Sequence, residues 1–459
     1  SPAAAPAAAA AAAEARSEDE GEEEGDGRTK LSLVVLGHVD AGKSTLMGQV
    51  LLQLGQVEQR TVHKFKREAA EAGKASFFLA WVLDEGSEER AHGVTMDIGT
   101  KHIRTPTKDV TLLDAPGHQD FIPKMISGTS QADAAVLVVP AAPGEFEAAF
   151  VSSGQTKEHA VLARGLGVKQ VLVAVNKLDA ADPPWGRERF DRIQGEVAPF
   201  LAQVGFKPRQ VRFVPVSGMT GENVLQVSDG CPLREWYAGP SFLEMVDGFN
   251  PPRQDRDAPL RAFVTDVIPT GGRGGVAVAC RCAAGRVRAG QRVQVFPNGD
   301  VGTVRNILSN GESATRFCAG DNAEIIIADV DPLRISVGHV LCKPNAPPFV
   351  GERLTAQIRT LDVLQVPIIK GTQFSIHTQS VDVPCHVVKL ISILNNSGEV
   401  QTKKPRALMA NTTAVVKLEA AKPLCLERYR DCRPLGQFVL RQRGVTVAAG
   451  IVTDVHHII

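Results

Sequence analysis

The stretch Gly37-His38-Val39-Asp40-Ala41-Gly42-Lys43-Ser44 decides the fold of the first half of the chain. It fits the pattern G-x-x-x-x-G-K-[ST] and follows an apolar run, residues 31–36, that is typical of a buried strand. Residues 45–54 follow, with apolar side chains at helical spacing. Because a strand, a glycine loop and a helix form the context of a phosphate-binding loop, we predict a P-loop rather than a chance turn.

The predicted loop has the chemistry to hold a nucleoside triphosphate. Its glycines let backbone N–H groups surround phosphate oxygens, and the positive end of the following helix faces the same anion. Lys43 is expected to reach the β- and γ-phosphates, and Ser44 to hold Mg²⁺.

Composition limits the class of protein. A length of 459 residues predicts about three domains, and 43% hydrophobic with 22% charged residues is typical of a globular protein. The formal net charge is zero, but residues 1–29 contain eight acidic residues and two arginines. The remainder is therefore mildly cationic, which permits a polyanionic partner without demonstrating one.

Targeting and redox signals are weak. No apolar run is long enough to span a bilayer, and the Ala/Glu-rich residues 1–29 resemble neither a secretory nor a mitochondrial leader. We expect that segment to be a disordered tail and the chain to be a fragment or a processed form. The eight cysteines contain no C-x-x-C pair. This favours reduced core thiols in a cytosolic protein over zinc binding or disulfides.

Alternating β-rich and helical patterns predict an α/β P-loop domain over residues 30–250. The predicted strands are residues 31–36, 110–113, 135–139, 170–175 and 211–215. A proline-rich and charged linker follows at 250–257. Short glycine-punctuated alternating segments then predict two small antiparallel β-barrels, at residues 258–345 and 349–459.

A switch is predicted at Asp114-Ala115-Pro116-Gly117-His118, which follows an apolar strand. Asp114 could hold Mg²⁺ through a water, and the Gly117 N–H could contact a γ-phosphate, a contact that hydrolysis would remove. Alone, Asp114 could equally be a cap or turn residue. The predicted phosphate contacts are residues 37–45 (Gly37, His38, Val39, Asp40, Ala41, Gly42, Lys43, Ser44 and Thr45) and Gly117.

The sequence alone leaves open the roles of two further residues, Thr95 and His118. Thr95 could complete the Mg²⁺ shell as a switch residue together with Gly93 and Pro116, or it could be an ordinary loop threonine. His118 could orient the attacking water or could be a turn histidine. No arginine finger is identifiable, so intrinsic hydrolysis is expected to be slow and to need an external activator.

Asn176-Lys177-Leu178-Asp179 follows another apolar strand and predicts a guanine reader. The Asp179 carboxylate can accept from N1–H and the exocyclic amine of guanine, whereas adenine has no N1–H and would leave it unpaired. The Lys177 stem can lie over the base, and Ser217 and Gly218 can offer backbone donors. On its own, N-K-x-D is a weak signal that often marks a turn.

Together GHVDAGKST, DAPGH with DFI after it, and NKLD resemble the translational GTPases of the elongation-factor class. The resemblance covers roughly residues 30–459 and includes a barrel signature at 275–290. It implies GTP/GDP, Mg²⁺, three domains and activation by the rRNA of the ribosomal factor-binding centre. It also implies that His118 positions the hydrolytic water, beside Val39 as an apolar gate.

Three branches of this class compete: aminoacyl-tRNA carriers, release-factor GTPases and the Hbs-like ribosome-rescue GTPases. Residues 72–77, 80–85, 93–97, 120–123 and 448–453 favour the Hbs-like branch. This resemblance implies a cytoplasmic, monomeric factor without membrane contact. It would deliver a tRNA-mimicking, Pelota-like partner to the A site of stalled ribosomes for no-go and non-stop decay. A non-enzymatic scaffold is the remaining alternative, which the intact ligand set disfavours.

Overall fold

Apolar runs and the motifs that follow them build a six-stranded sheet in the first part of the chain. The structure is a computed structural model that describes residues 28–71, 73, 77–83, 95, 98–151, 155–268, 275–309, 311–395 and 397–456. The predicted tail therefore lies, up to residue 27, outside the described residues. The strands of the first sheet are β1 (Thr29–Gly37), β2 (Gly99–Arg104), β3 (Lys108–Asp114), β4 (Ala134–Pro140), β5 (Val171–Asn176) and β6 (Val211–Pro215).

The spatial order is β2-β3-β1-β4-β5-β6, in which β2 is antiparallel and the other strands are parallel. All five predicted strands are confirmed within one or two residues. The edge strand β2 was missed because it is mostly polar, with Ile103 as its buried residue.

Helices cover both faces of this sheet. Alternate residues of β1 enter two separate cores, Val34 and Leu36 on one side and Leu33 and Val35 on the other. Burial on both faces explains why β1 is a nearly continuous apolar run. The helices are α1 (Lys43–Gln53), α2 (Gln59–Glu71), α3 (Ile122–Ser130), α4 (Glu145–Phe150), α5 (Gln155–Gly165), α6 (Arg187–Val204) and α7 (Phe242–Asp247).

Two closed antiparallel barrels follow, as predicted. In each barrel six strands form a closed ring. The ring closes where β10 pairs with β11 in the first barrel and where β17 pairs with β18 in the second. The first contains β7 (Arg261–Ile268), β8 (Val276–Ala284), β9 (Arg286–Arg288), β10 (Arg292–Phe296), β11 (Asp300–Ser309), β12 (Glu312–Ala314), β13 (Arg316–Cys318), β14 (Asn322–Ala328) and β15 (Val340–Cys342). The second contains β16 (Phe349–Thr360), β17 (Gln373–Thr378), β18 (Val381–Leu394), β19 (Val400–Lys403), β20 (Thr413–Leu426), β21 (Gln437–Gln442) and β22 (Val445–His456).

Buried ion pairs join these units. Arg281 of the first barrel lies 3.1 Å from Asp133 and donates to the Ser32 hydroxyl on β1 at 2.6 Å. Arg261 donates through Nε to Glu427 of the second barrel at 2.7 Å. Because both partners of each pair are present, neither buried charge is left uncompensated.

Two further observations concern the described residues. No helix among them is both long enough and apolar enough to cross a membrane. All eight cysteines are free thiols, and six of them are buried, whereas Cys318 and Cys425 are half-buried.

Candidate nucleotide site

Four polar motifs meet at one edge of the sheet. They follow the carboxyl ends of β1, β3, β5 and β6; β3 lies beside β1, β5 lies beside β6, and β4 lies between the two pairs. In open α/β sheets this edge is where ligands bind, because loops and helix N-termini converge there.

The loop between β1 and α1 has the backbone of a phosphate cradle. Asp40 and Gly42 have φ angles of 61° and 84°, in the left-handed region, and Gly42 caps α1. Turns of this kind direct successive N–H groups towards one point, where an anion can bind. A Cβ on Gly42 would lie 2.5 Å from Asn176 Nδ2, so the close approach also requires glycine.

Lys43 is buried inside this loop. Its Nζ donates to the carbonyl oxygens of His38 at 2.9 Å and Gly37 at 3.2 Å. Burial lowers the pKa of Lys43, and the carboxylates of Asp114 and Asp40 oppose that shift. A buried ammonium that donates to carbonyl oxygens is well suited to a bound phosphate, which would compensate its charge.

Three oxygens gather beside the first turn of α1. Ser44 Oγ donates to Asp114 Oδ2 at 2.6 Å and lies 3.2 Å from Thr95 Oγ1. Hydroxyl and carboxylate oxygens are the ligands that Mg²⁺ prefers, together with water and phosphate. The three residues predicted as Mg²⁺ ligands therefore lie close together, and their oxygen atoms are of the kind that this ion binds.

Gly117 lies against the lysine. A Cβ on it would approach Lys43 Nζ to 2.3 Å and Val39 N to 3.2 Å. Pro116 beside it is buried, whereas His118 is 46% exposed, with Nδ1 3.3 Å from Asp120 Oδ2. A cavity of about 60 Å³ is lined by Val39, Asp40, Gly42, Lys43, Ser44, Thr45, Phe77, Ala80, Thr95, Gly117 and His118. Gly93, the remaining predicted switch residue, lies outside the described residues.

The N-K-L-D motif contacts the phosphate loop directly. Asn176 Nδ2 donates to the Ala41 carbonyl at 2.9 Å, and Asn176 Oδ1 accepts from the Gly218 N–H at 2.8 Å. The buried Oδ1 of Asp179 has no hydrogen-bond partner among the described residues. An orphaned carboxylate oxygen at this position fits a ligand that carries N–H donors, as guanine does.

The other predicted base contacts are already engaged within the protein. Lys177 Nζ pairs with Glu145 at 2.8 Å, which fixes its stem beside the motif. The Ser217 N–H donates to the Glu222 carbonyl at 3.2 Å. The Gly218 N–H, held by Asn176, would have to be shared with a base oxygen.

Two site residues were missed by the sequence analysis. Gln155 and His159, on α5, accept hydrogen bonds from the N–H groups of Val39 and Gly37, each at 3.2 Å. Burial, with Lys43 and His38 nearby, lowers the pKa of His159 to about 3, so the ring is neutral. Both are ordinary helix residues in sequence, and their role depends on contacts more than a hundred positions away.

Comparison with known proteins places this site in a family. Residues 28–252 match the elongation factor Tu GTP binding domain, and residues 353–453 match a GTP-eEF1A C-terminal domain-like family. Protein HBS1 of Drosophila melanogaster is 44% identical over 94% of this chain, which spans 64% of that protein. Elongation factor 1-alpha of Ignicoccus hospitalis is 40% identical over 93% of this chain and 96% of its own length.

A solved structure shows the same fold. The GTPase-like domain of S. cerevisiae Ski7, bound to GTP, matches with a TM-score of 0.79 over 93% of this chain and 98% of that one, at 18% identity. At that identity the likeness concerns the fold alone. On the evidence of the elongation factor 1-alpha relatives and the matching GTP-binding domain, the chain belongs to the translational GTPases of the elongation-factor class.

Proposed function

We propose that this GTPase binds GTP with Mg²⁺ and delivers a tRNA-mimicking, Pelota-like partner to the empty A site of a stalled ribosome. The observation that carries the nucleotide part is the convergence of Lys43, Ser44, Asp114 and Asp179 at one sheet edge. The partner is supported by the 44% identity to Protein HBS1 and by the Hbs-like variants in residues 72–97.

In this proposal each residue has a defined task. The N–H groups of Asp40 and residues 42–45 and the ammonium of Lys43 would bind the phosphates, and Gly117 would approach the terminal one. Bound Mg²⁺ would neutralise charge on the β- and γ-phosphate oxygens. Ser44 and Thr95 would hold the ion directly, and Asp114 would hold it through water. Asp179 selects guanine, and Asn176 ties the base site to the phosphate loop.

Hydrolysis would depend on the ribosome. His118 is exposed beside the phosphate cavity, so rRNA of the factor-binding centre could orient it towards an attacking water. Loss of the γ-phosphate would release the contacts of Gly117 and Thr95, and with them the switch that holds the partner. Such a factor would work in the cytoplasm as a monomer.

The experiment is affinity purification from cytosol with a non-hydrolysable GTP analogue. Recovery of a Pelota-like protein together with ribosomes is the expected result. Charged tRNA or a release factor without Pelota would instead identify an aminoacyl-tRNA carrier or a termination GTPase. Ribosomes that fail to stimulate phosphate release from GTP would contradict the enzymatic proposal.

A further inference from the structure

Helix α5 supports the phosphate loop from outside. One turn apart on the same face, Gln155 and His159 accept the N–H groups of Val39 and Gly37. His159 is fully buried and Gln155 is 8% exposed. These two hydrogen bonds hold the start of the loop, which continues into residues 42–45 along the cavity. The position of the loop therefore depends on the position of α5.

The second barrel supports the same helix. Glu158, between the two loop-binding residues in sequence, lies 3.6 Å from the Arg441 guanidinium on β21. The Thr446 hydroxyl on β22 donates to Glu158 Oε1 at 3.4 Å. All three side chains are largely buried, so water screens their interaction weakly.

The other end of α5 is packed closely on the same barrel. A Cβ added to Gly165 would lie 3.0 Å from Ala449 and 3.1 Å from Val439. Val439 belongs to the same hydrophobic core as residues of α5. Two separated contacts of this kind fix both the axial position and the rotation of the helix.

The hydrogen bonds between the loop and α5 tolerate little displacement of the helix. At 3.2 Å they are already at the long end of the ordinary range for N–H donors. A shift of α5 by about half an ångström away from the loop would break both. The two N–H groups would then be unpaired, and the loop would be free to leave its phosphate-binding conformation.

We propose that Arg441, assisted by Thr446, is a positioning residue for the phosphate loop, acting through Glu158 and α5. Nucleotide retention in the first domain then depends on the seating of the second barrel against α5. This inference rests on the proposed binding of guanine nucleotide. It adds a contact of the second barrel to the determinants of nucleotide release.

The test is the rate of release of a fluorescent GDP analogue from the full chain in stopped flow. Arg441→Ala and Glu158→Gln should each release GDP faster, by roughly five- to twentyfold, since each removes a charge-assisted contact. The matched control is Arg443→Ala, on the same hairpin but exposed. Arg441→Lys should restore part of the retention.

The double variant distinguishes an effect of Arg441 that acts through Glu158 from a general loosening of the packing between α5 and the second barrel. If Arg441 acts through Glu158, Arg441→Ala with Glu158→Gln should release GDP no faster than either single variant. Rates that multiply, or wild-type release in all variants, would overturn the inference. If Arg441→Ala fails to fold, the nearly isosteric Glu158→Gln alone decides. Wild-type protein that binds no GDP would instead overturn the proposed function, and this inference with it.

Discussion

Asn176 donates from its side-chain amide to the carbonyl oxygen of Ala41, at a distance of 2.9 Å, across 135 positions of sequence. The same side chain accepts from the Gly218 N–H at 2.8 Å. A single buried amide thus connects the phosphate loop, the base-reading motif and the turn after β6.

Replacing this amide should disturb all three segments. In Asn176→Ala, the Ala41 carbonyl and the Gly218 N–H lose a buried partner, at about 1–3 kcal/mol each. We expect a lower melting temperature and weaker binding of both GDP and GTP, measured by thermal denaturation and titration calorimetry. The control is Asn345→Ala, on an exposed turn. Unchanged binding in Asn176→Ala would contradict this role.

Base selectivity should depend on Asp179. In Asp179→Asn the acceptor for guanine N1–H and the exocyclic amine is partly replaced by a donor, so GTP affinity should fall at least about a hundredfold. Xanthosine triphosphate carries an oxygen in place of that amine and should bind better than it does to the wild type. Competition binding measures both effects. Asp191→Asn, exposed on α6, is the control, and an unaltered preference in Asp179→Asn would reject the guanine-reading assignment.

The sequence predicted those parts of the fold that local pattern determines. The strands that carry the motifs are apolar because helices cover both sheet faces, and their ends are marked by glycine, aspartate or asparagine. Strand β2 has no such pattern, since it is a polar edge whose position comes from pairing with β3. The same reasoning explains the site. Lys43 and Asp179 belong to short motifs, whereas Gln155, His159 and Arg441 act through tertiary contacts that no local spacing encodes.

Magnesium should retain the nucleotide through Ser44. Chelation with EDTA is expected to speed GDP release from the wild type, and Ser44→Ala should reproduce most of that effect in the presence of Mg²⁺. Since outer-shell groups already change metal affinity about 10- to 100-fold, a direct ligand should cost at least about tenfold. Release rates measured against Mg²⁺ concentration test this. Ser397→Ala, on a surface hairpin, is the control, and a wild-type rate insensitive to EDTA would exclude the metal role.

Replacement of His118 should lower GTP hydrolysis without weakening GTP binding. Its ring is nearly half exposed and contacts its neighbours Asp120 and Phe121. His118→Ala should therefore leave GTP affinity close to the wild type while lowering ribosome-stimulated turnover by about 10²–10⁴. Single-turnover phosphate release with saturating ribosomes is the measurement. The matched variant is His63→Ala, exposed on α2. Normal stimulated turnover in His118→Ala would remove the histidine from the catalytic step.

The stability of the nucleotide-free protein should decrease in acid because of His159. Its pKa is about 3 in the folded state, lowered first by burial and then by Lys43 and His38, against an ordinary value of 6.5 in the unfolded chain. Between these values the unfolded state binds a proton that the folded state excludes. The contribution is absent above pH 6.5 and grows as the pH falls, by at most about 1.4 kcal/mol per pH unit.

His159→Gln keeps an acceptor for the Gly37 N–H but cannot titrate. The slope of the unfolding free energy against pH between pH 6.5 and 4 should therefore decrease by the amount that corresponds to about one bound proton. Part of the slope should remain, because burial also lowers the pKa of His377, to about 4. Urea unfolding at several pH values measures the slope. If His159→Gln retained the full slope, the ring would have to be protonated in the folded protein. The Gly37 N–H would then have no acceptor on Nδ1, and the contact between α5 and the phosphate loop would need a different description.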